Sequence, residues 1–338
     1  MAQPIFNIIF IPGTVNYQTP ALVSLLINTS YSFRLVGNAL DNNEANLLKN
    51  IAHCSNRLAF QNFESDSIIP HGTLLDILFN SETHKLFCFC DSDLFLFKPI
   101  IKSPNQLLNG SDIFSSGGRI ENDNQAQYAG FRGGATTISP DGNIPLAMSF
   151  FAVYKRDSLR TIMQKYKVGF EQYRSQLQIP AAVLKYINSQ QLSFEMFDTG
   201  KLLSVLYHKE GLQNKYASFK NMVHLGGMSG RYLQHLDLQK VQVVSDDCLK
   251  QDNLENQHNF HIRSDYEVAL KRLYGKYFYL YLNYLIGKSQ NPVLKVDSNQ
   301  INFTINELKT QIELIFETAK NNSDLRKILQ LIKEEIDE

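Results

Sequence analysis

Between Ile5 and Pro99, four short runs rich in β-branched and aromatic residues alternate with three helix-length segments, and that order leaves few architectures open. IFNIIFIPGT reads as a strand stopped by Pro12 and Gly13. TPALVSLLINT reads as a helix opening after Thr19 with Pro20 in its first turn, and YSFRLVGNAL as a second strand. A polar helix (DNNEANLLKNIAHC), a strand (RLAFQNF), a helix from Pro70 (PHGTLLDILFNSETH) and the apolar run KLFCFCDSDLFLFKP follow. This alternation predicts an α/β fold with a mostly parallel, doubly wound sheet. In LFCFC both parities are apolar, as in a central strand covered on both faces.

Two acids, Asp91 and Asp93, interrupt that apolar run around Ser92. In open α/β sheets ligands bind at the carboxyl ends of the strands, and a strand's side-chain period of two would put both acids on one side. Like charges that close raise one another's pKa unless a cation neutralises them. A divalent metal with hard oxygen ligands, shared with a phosphate, answers that need. The bland alternative is an aspartate capping the turn beside a solvated one.

Composition excludes some classes. The chain has 338 residues, 43% of them hydrophobic, enough for a large core and an elaboration of it, and 33 basic residues balance 33 acidic ones. No whole-chain footprint for nucleic acid follows. No signal-like segment leads the sequence and no apolar run is long enough for a transmembrane span, so the expectation is a cytoplasmic protein, with a location peripheral to a membrane left open. Cys54, Cys88, Cys90 and Cys248 lack zinc-site spacing, which fits a reducing compartment.

The stretch PHGTLLDILFNSETHKLFCFCDSDLFLF resembles the pre-strand helix and Asp-x-Asp strand of GT-A glycosyltransferases, especially family-2-like enzymes. The resemblance covers roughly residues 5 to 100, is looser to about 235 and is absent beyond. It implies a Rossmann-like GT-A domain over residues 1–240, while residues 241–338 read as a helical C-terminal region from their own apolar spacing. It also implies a nucleoside-diphosphate sugar donor of the UDP or GDP type, a glycan or other hydroxyl acceptor, and Mn2+ or Mg2+. By the same resemblance Asp91 would touch the ribose or the metal and Asp93 would hold the metal. The end of the first strand (Pro12, Gly13, Thr14), the exit of the second (Asn38, Asp41) and the helix start at His71 and Gly72 would line the donor pocket.

An acceptor hydroxyl needs a base if the reaction inverts, which is the expectation. Asp198, just before TGKLLSVLYH, is the candidate, with a helix N-cap as the structural alternative. Glu195 is the alternative base, or a surface acid. In FKNMVHLGGMSGRY, His224 resembles the late histidine that completes the metal shell, and Arg231 a diphosphate contact; a core histidine would explain His224 equally simply.

The glycine-rich span 115–143 reads as a long loop or short hairpin, and MSFFAVYKRDSL as a buried strand and turn. Beyond residue 240, a tyrosine-rich helix and two amphipathic helices are expected to pack on the catalytic domain or to join subunits in a homo-oligomer. Rival functions remain: a phosphatase, a nucleotidyltransferase, or a non-catalytic nucleotide-sugar-binding scaffold. The acids stand at roughly the fourth strand and lead into Leu94, against the phosphatase. IPGTVNYQTP lacks the charged loop of a nucleotidyltransferase.

Overall fold

The structure is a computed structural model that describes residues 4–116, 147, 150–173, 175–189, 197–217, 219, 221–225, 243–245 and 265–334, with side chains in the helix from Asp265 described from Leu273 onward. The four expected strands are β1 (Ile5–Phe10), β2 (Ser32–Asn38), β3 (Leu58–Phe63) and β4 (Leu86–Cys90). They run parallel in the order β3-β2-β1-β4, linked by α1 (Val15–Asn28), α2 (Asn42–His53) and α3 (His71–Ser81). Beyond β4 the sheet becomes mixed. β7 (Phe151–Lys155) is antiparallel to β4, β6 (Ile113–Ser116) antiparallel to β7, and β8 (Asn214–Tyr216) parallel to β6, completing seven strands.

The two parities of β4 serve two cores. Cys88 and Cys90 join a cluster with Phe6, Ile8 and Phe10 of β1, with α1 and α2 and with Leu107 and Leu108 of α4 (Pro104–Leu108), whereas Phe87 and Phe89 join one with Leu74 and Leu78 of α3. The second cluster also takes Leu159 and Ile162 of α5 (Arg156–Tyr166), Val183 of α6 (Ala181–Ser189) and Leu202 and Leu203 of α7 (Lys201–Lys209). Burial on both faces is why this strand carries no polar alternation.

Two local expectations are corrected. α1 opens at Val15, so Pro20 lies inside the helix rather than in its first turn. The reason is tertiary: Gly13 turns the chain with φ 76, and Glu44 of α2 accepts from the Gly13 amide at 2.9 Å and the Val15 amide at 3.4 Å. A carboxylate from the next helix thus meets the orphan donors that a local cap would have met. The segment after β7 is not a turn, because β7 runs directly into α5.

The C-terminal region is helical, with helices Asp265–Leu285, Asn299–Lys320 and Ser323–Glu334, and it packs against α1 and α2. Tyr17 of α1 meets Tyr279 edge-on with ring centroids 4.3 Å apart, and Tyr274, Tyr277 and Tyr281 are buried as well, so the tyrosine-rich helix is a packing element. One continuous cluster extends from Phe6 to Ile332. The expected boundary at 240/241 and the glycine-rich span beyond Ser116 lie outside the described residues, as does Cys248. Among the described residues no helix is long and apolar enough to cross a membrane.

Candidate metal centre

At the carboxyl end of β4 the chain does not continue straight. Asp91, Ser92 and Asp93 form a turn before β5 (Leu94–Leu96), so strand alternation is not what aligns the two acids. The alignment comes from β9 (Met222–His224), which pairs antiparallel with β5 and sets His224 opposite Leu94. The Leu225 amide donates to the Asp93 carbonyl at 3.2 Å and extends that pairing by one residue. In consequence His224 Nε2 lies 3.0 Å from Asp93 Oδ1 and 3.2 Å from Asp91 Oδ2.

Asp93 and His224 are buried, and the Asp91 side chain keeps 21% of its surface open. Burial alone would lower the His224 pKa; the carboxylates of Asp93 and Asp91 outweigh it and hold the imidazole above its ordinary value. One ligand atom from each of the three side chains lies within 4.8 Å of the others. Two carboxylate oxygens and an imidazole nitrogen, drawn together at the buried end of a sheet with one open side, fit a divalent cation of the Mn2+ or Mg2+ kind.

His224 Nδ1 is buried and has no hydrogen-bond partner among the described residues. The ring is held differently, by a stack on Phe150 with centroids 3.8 Å apart and planes 23° from parallel. Phe150 in turn continues the β4–β7 ladder beyond its last register pair, Cys90 with Phe151, so that its carbonyl accepts from the Asp91 amide at 2.9 Å. One residue therefore touches both an acid's backbone and the histidine's ring.

The remaining expected site residues fall into groups. Asp198 lies before α7 but is not its N-cap: Gly200, at φ 73, holds that position without a side-chain cap bond. Asp198 Oδ1 accepts from the Thr199 amide at 2.8 Å and from Gln172 Nε2 at 2.5 Å. Glu195 and Arg231 lie outside the described residues.

Thr14 is buried and its hydroxyl donates to the Ile11 carbonyl at 2.6 Å, while the neighbouring Gly13 amide is taken by Glu44. Pro12 stands in the same turn. Asn38 is tied reciprocally to Ile69, donating from Nδ2 and accepting at Oδ1, each at 2.9 Å. Asp41 caps α2 through the Glu44 amide at 2.8 Å. Gly72 allows the backbone of residues 170 and 171 to approach, since a Cβ there would stand 2.4 Å from the Phe170 carbonyl oxygen. His71 is exposed at the start of α3, and Ser92 is buried in the acidic turn.

Sequence reasoning overlooked two residues. Phe150 precedes a strand and looked like core. Lys201 sits in the first turn of α7, yet is 4% exposed, and burial pulls its pKa down to about 7 against the opposing pull of Asp198. A lysine followed directly by an apolar helix face was the available signal.

No protein-family model matches the chain, and neither does the sequence of a curated protein. Several solved structures similar to it are glycosyltransferases. The mannosyltransferase PcManGT from Pyrobaculum calidifontis, in complex with GDP-Man and Mn2+, is 12% identical with a TM-score of 0.42, over 98% of this chain and 86% of that one. GlyE from Streptococcus pneumoniae TIGR4, in its apo form, is 10% identical with a TM-score of 0.33, over 64% of this chain and 45% of that one. The bifunctional glycosyltransferase WbbM is 10% identical with a TM-score of 0.36, over 81% of this chain and 44% of that one. The chain thus spans less than half the length of GlyE and WbbM.

Proposed function

We propose that the protein is a metal-dependent glycosyltransferase that moves a sugar from a nucleoside-diphosphate donor of the UDP or GDP type to an acceptor hydroxyl, with inversion. The observation that supports this most is the convergence of Asp91, Asp93 and His224 on one point at the carboxyl end of β4. That is where an α/β sheet of this kind takes its ligands.

Asp91, Asp93 and His224 would hold Mn2+ or Mg2+. When bound, such a cation supplies positive charge against the negative charge that develops on the departing nucleoside diphosphate. The protein's own side chains do the rest. Burial of Asp93 and His224, with Phe150 laid over the imidazole, keeps water from one side of the site, which strengthens every electrostatic contact there. Asp91 is the more open acid and would be the one to meet the donor.

Asp198 would remove the proton from the acceptor hydroxyl. Among the described residues its hydrogen bonds fall on Oδ1, so Oδ2 is the atom to take that proton. α7 begins beside it on the Phe87–Phe89 face of β4: Gly200 is in contact range of Phe170, whose ring meets Phe89 edge-on at 5.5 Å.

Donor binding tests the reading. A nucleoside diphosphate should raise the melting temperature with Mn2+ or Mg2+ and leave it unchanged in EDTA, and a matching nucleotide sugar should be hydrolysed slowly only with metal. Equal stabilisation in EDTA would overturn the metal-dependent site.

A further inference from the structure

Ala147 is bound at both of its backbone groups by α7. Its amide donates to Ser204 Oγ at 2.9 Å, and its carbonyl accepts from Lys201 Nζ at 2.7 Å. All of these atoms are buried, and Ser204 is 1% exposed. Three residues later comes Phe150, held by the Asp91 amide at its carbonyl and stacked on His224. Three residues of chain span at most about 10 Å, so the clamped Ala147 lies within that distance of Phe150.

A buried ammonium or amine costs free energy and lasts only where its hydrogen bonds are needed. Here the bond does not close a turn of α7, whose N-cap is Gly200; it reaches across to a different segment. The histidine it affects is unusual for a metal ligand. Such rings are ordinarily oriented by a hydrogen bond from the second nitrogen, whereas His224 Nδ1 has none among the described residues and relies on the Phe150 stack.

We infer that Lys201, with Ser204, is a positioning residue for the Asp91–Asp93–His224 site: the pair clamps Ala147, Ala147 fixes Phe150, and Phe150 sets the plane of the His224 ring. Because the Lys201 amide also donates to the Asp198 carbonyl at 2.9 Å, the same turn of α7 anchors the proposed base. Lys201 thereby joins the metal side of the site to the acceptor side. The inference rests on the metal-site reading for its functional meaning, but its geometry can be tested without metal.

In metal-free protein the stacked Phe150 ring should shift the His224 Hε1 proton resonance upfield, assigned by its loss in His224→Gln. In Lys201→Met, which keeps chain length but cannot donate, that shift should relax towards the value of an unstacked histidine, and Mn2+ affinity measured by electron paramagnetic resonance should fall by about tenfold, as for loss of an outer-shell partner. In a Phe150→Leu background Lys201→Met should produce little further loss of Mn2+ affinity, because the two changes act through one contact. Ser204→Ala gives a milder form of the same result and serves if Lys201→Met does not fold. An unchanged His224 resonance in folded Lys201→Met or Ser204→Ala overturns the clamp. Absence of Mn2+ binding by the wild type overturns the metal reading alone, since the resonance still decides the clamp.

Discussion

The rings of Phe150 and His224 stack with centroids 3.8 Å apart, a contact that joins a core aromatic to a side chain at the proposed metal centre. The sequence offered two readings of His224, ligand or core residue; the ring lies beside the Asp91 and Asp93 carboxylates and is also buried against Phe150. His224→Ala is therefore expected to lower Mn2+ affinity by at least about tenfold and also to lower apo stability by roughly 2–3 kcal/mol, since the ring fills buried space between β9 and Phe150. Calorimetry with and without Mn2+ measures both; an intact apo melting temperature would show that the stack contributes nothing.

Asp93 is the buried acid and Asp91 the more open one, and their substitutions should differ. Asp93→Asn removes a charge from the closed side of the site and is expected to abolish metal-dependent stabilisation by a nucleoside diphosphate. Asp91→Asn should weaken it less, leaving a response at high Mn2+. Thermal shifts across a Mn2+ titration check the ranking, and the opposite order would assign the principal ligand to Asp91.

Asp198→Asn keeps an Oδ1 acceptor for the Thr199 amide, so structure should persist. A base acts on the acceptor's proton in the transition state, so transfer should fall by roughly a hundredfold or more while metal-dependent donor binding stays nearly constant. Near-normal transfer in Asp198→Asn with a collapse in Glu195→Gln moves the base to Glu195.

Lys201 predicts a pH dependence of stability. Its folded pKa, about 7, lies below the 10.5 of an exposed lysine, because burial disfavours the charge more than Asp198 restores it. The folded state thus binds the proton less readily than the unfolded chain. Stability from this group is full above about pH 10.5, falls as pH drops towards 7 and levels off below it, by several kcal/mol at about 1.4 kcal/mol per unit. Lys201→Met should flatten that slope and make the variant more stable than wild type at pH 6. Chemical denaturation between pH 6 and 9 reads the effect.

Arg57 offers a stability test far from the site. Its guanidinium donates to the Leu26, Thr29 and Tyr31 carbonyls at 2.8, 2.7 and 2.8 Å, closing the C-terminal end of α1 and the turn into β2. Lysine cannot reproduce that planar fork, so Arg57→Lys is expected to cost about 2 kcal/mol, and Mn2+ affinity should not change.

The sequence by itself determined the βαβ order, the central strand LFCFC and the amphipathic C-terminal helices, because hydrophobic period and turn chemistry are local properties. It also singled out Asp91 and Asp93, since two acids in an apolar run conflict with local burial. What it left open was whether His224 joins them. The acids sit in a turn, and their approach to one imidazole depends on β5 pairing with β9, a register between segments remote in the chain. The contacts of Asn38 with Ile69 and of Gly72 with the Phe170–Glu171 backbone likewise arise between segments remote in sequence. Lys201 was illegible for the same reason: lysine is ordinarily exposed, and only the folding of Ala147 onto α7 supplies the buried carbonyl that holds it there. Local sequence fixes which elements form, whereas the meeting of side chains from different elements depends on the packed sheet, whose register no single segment encodes.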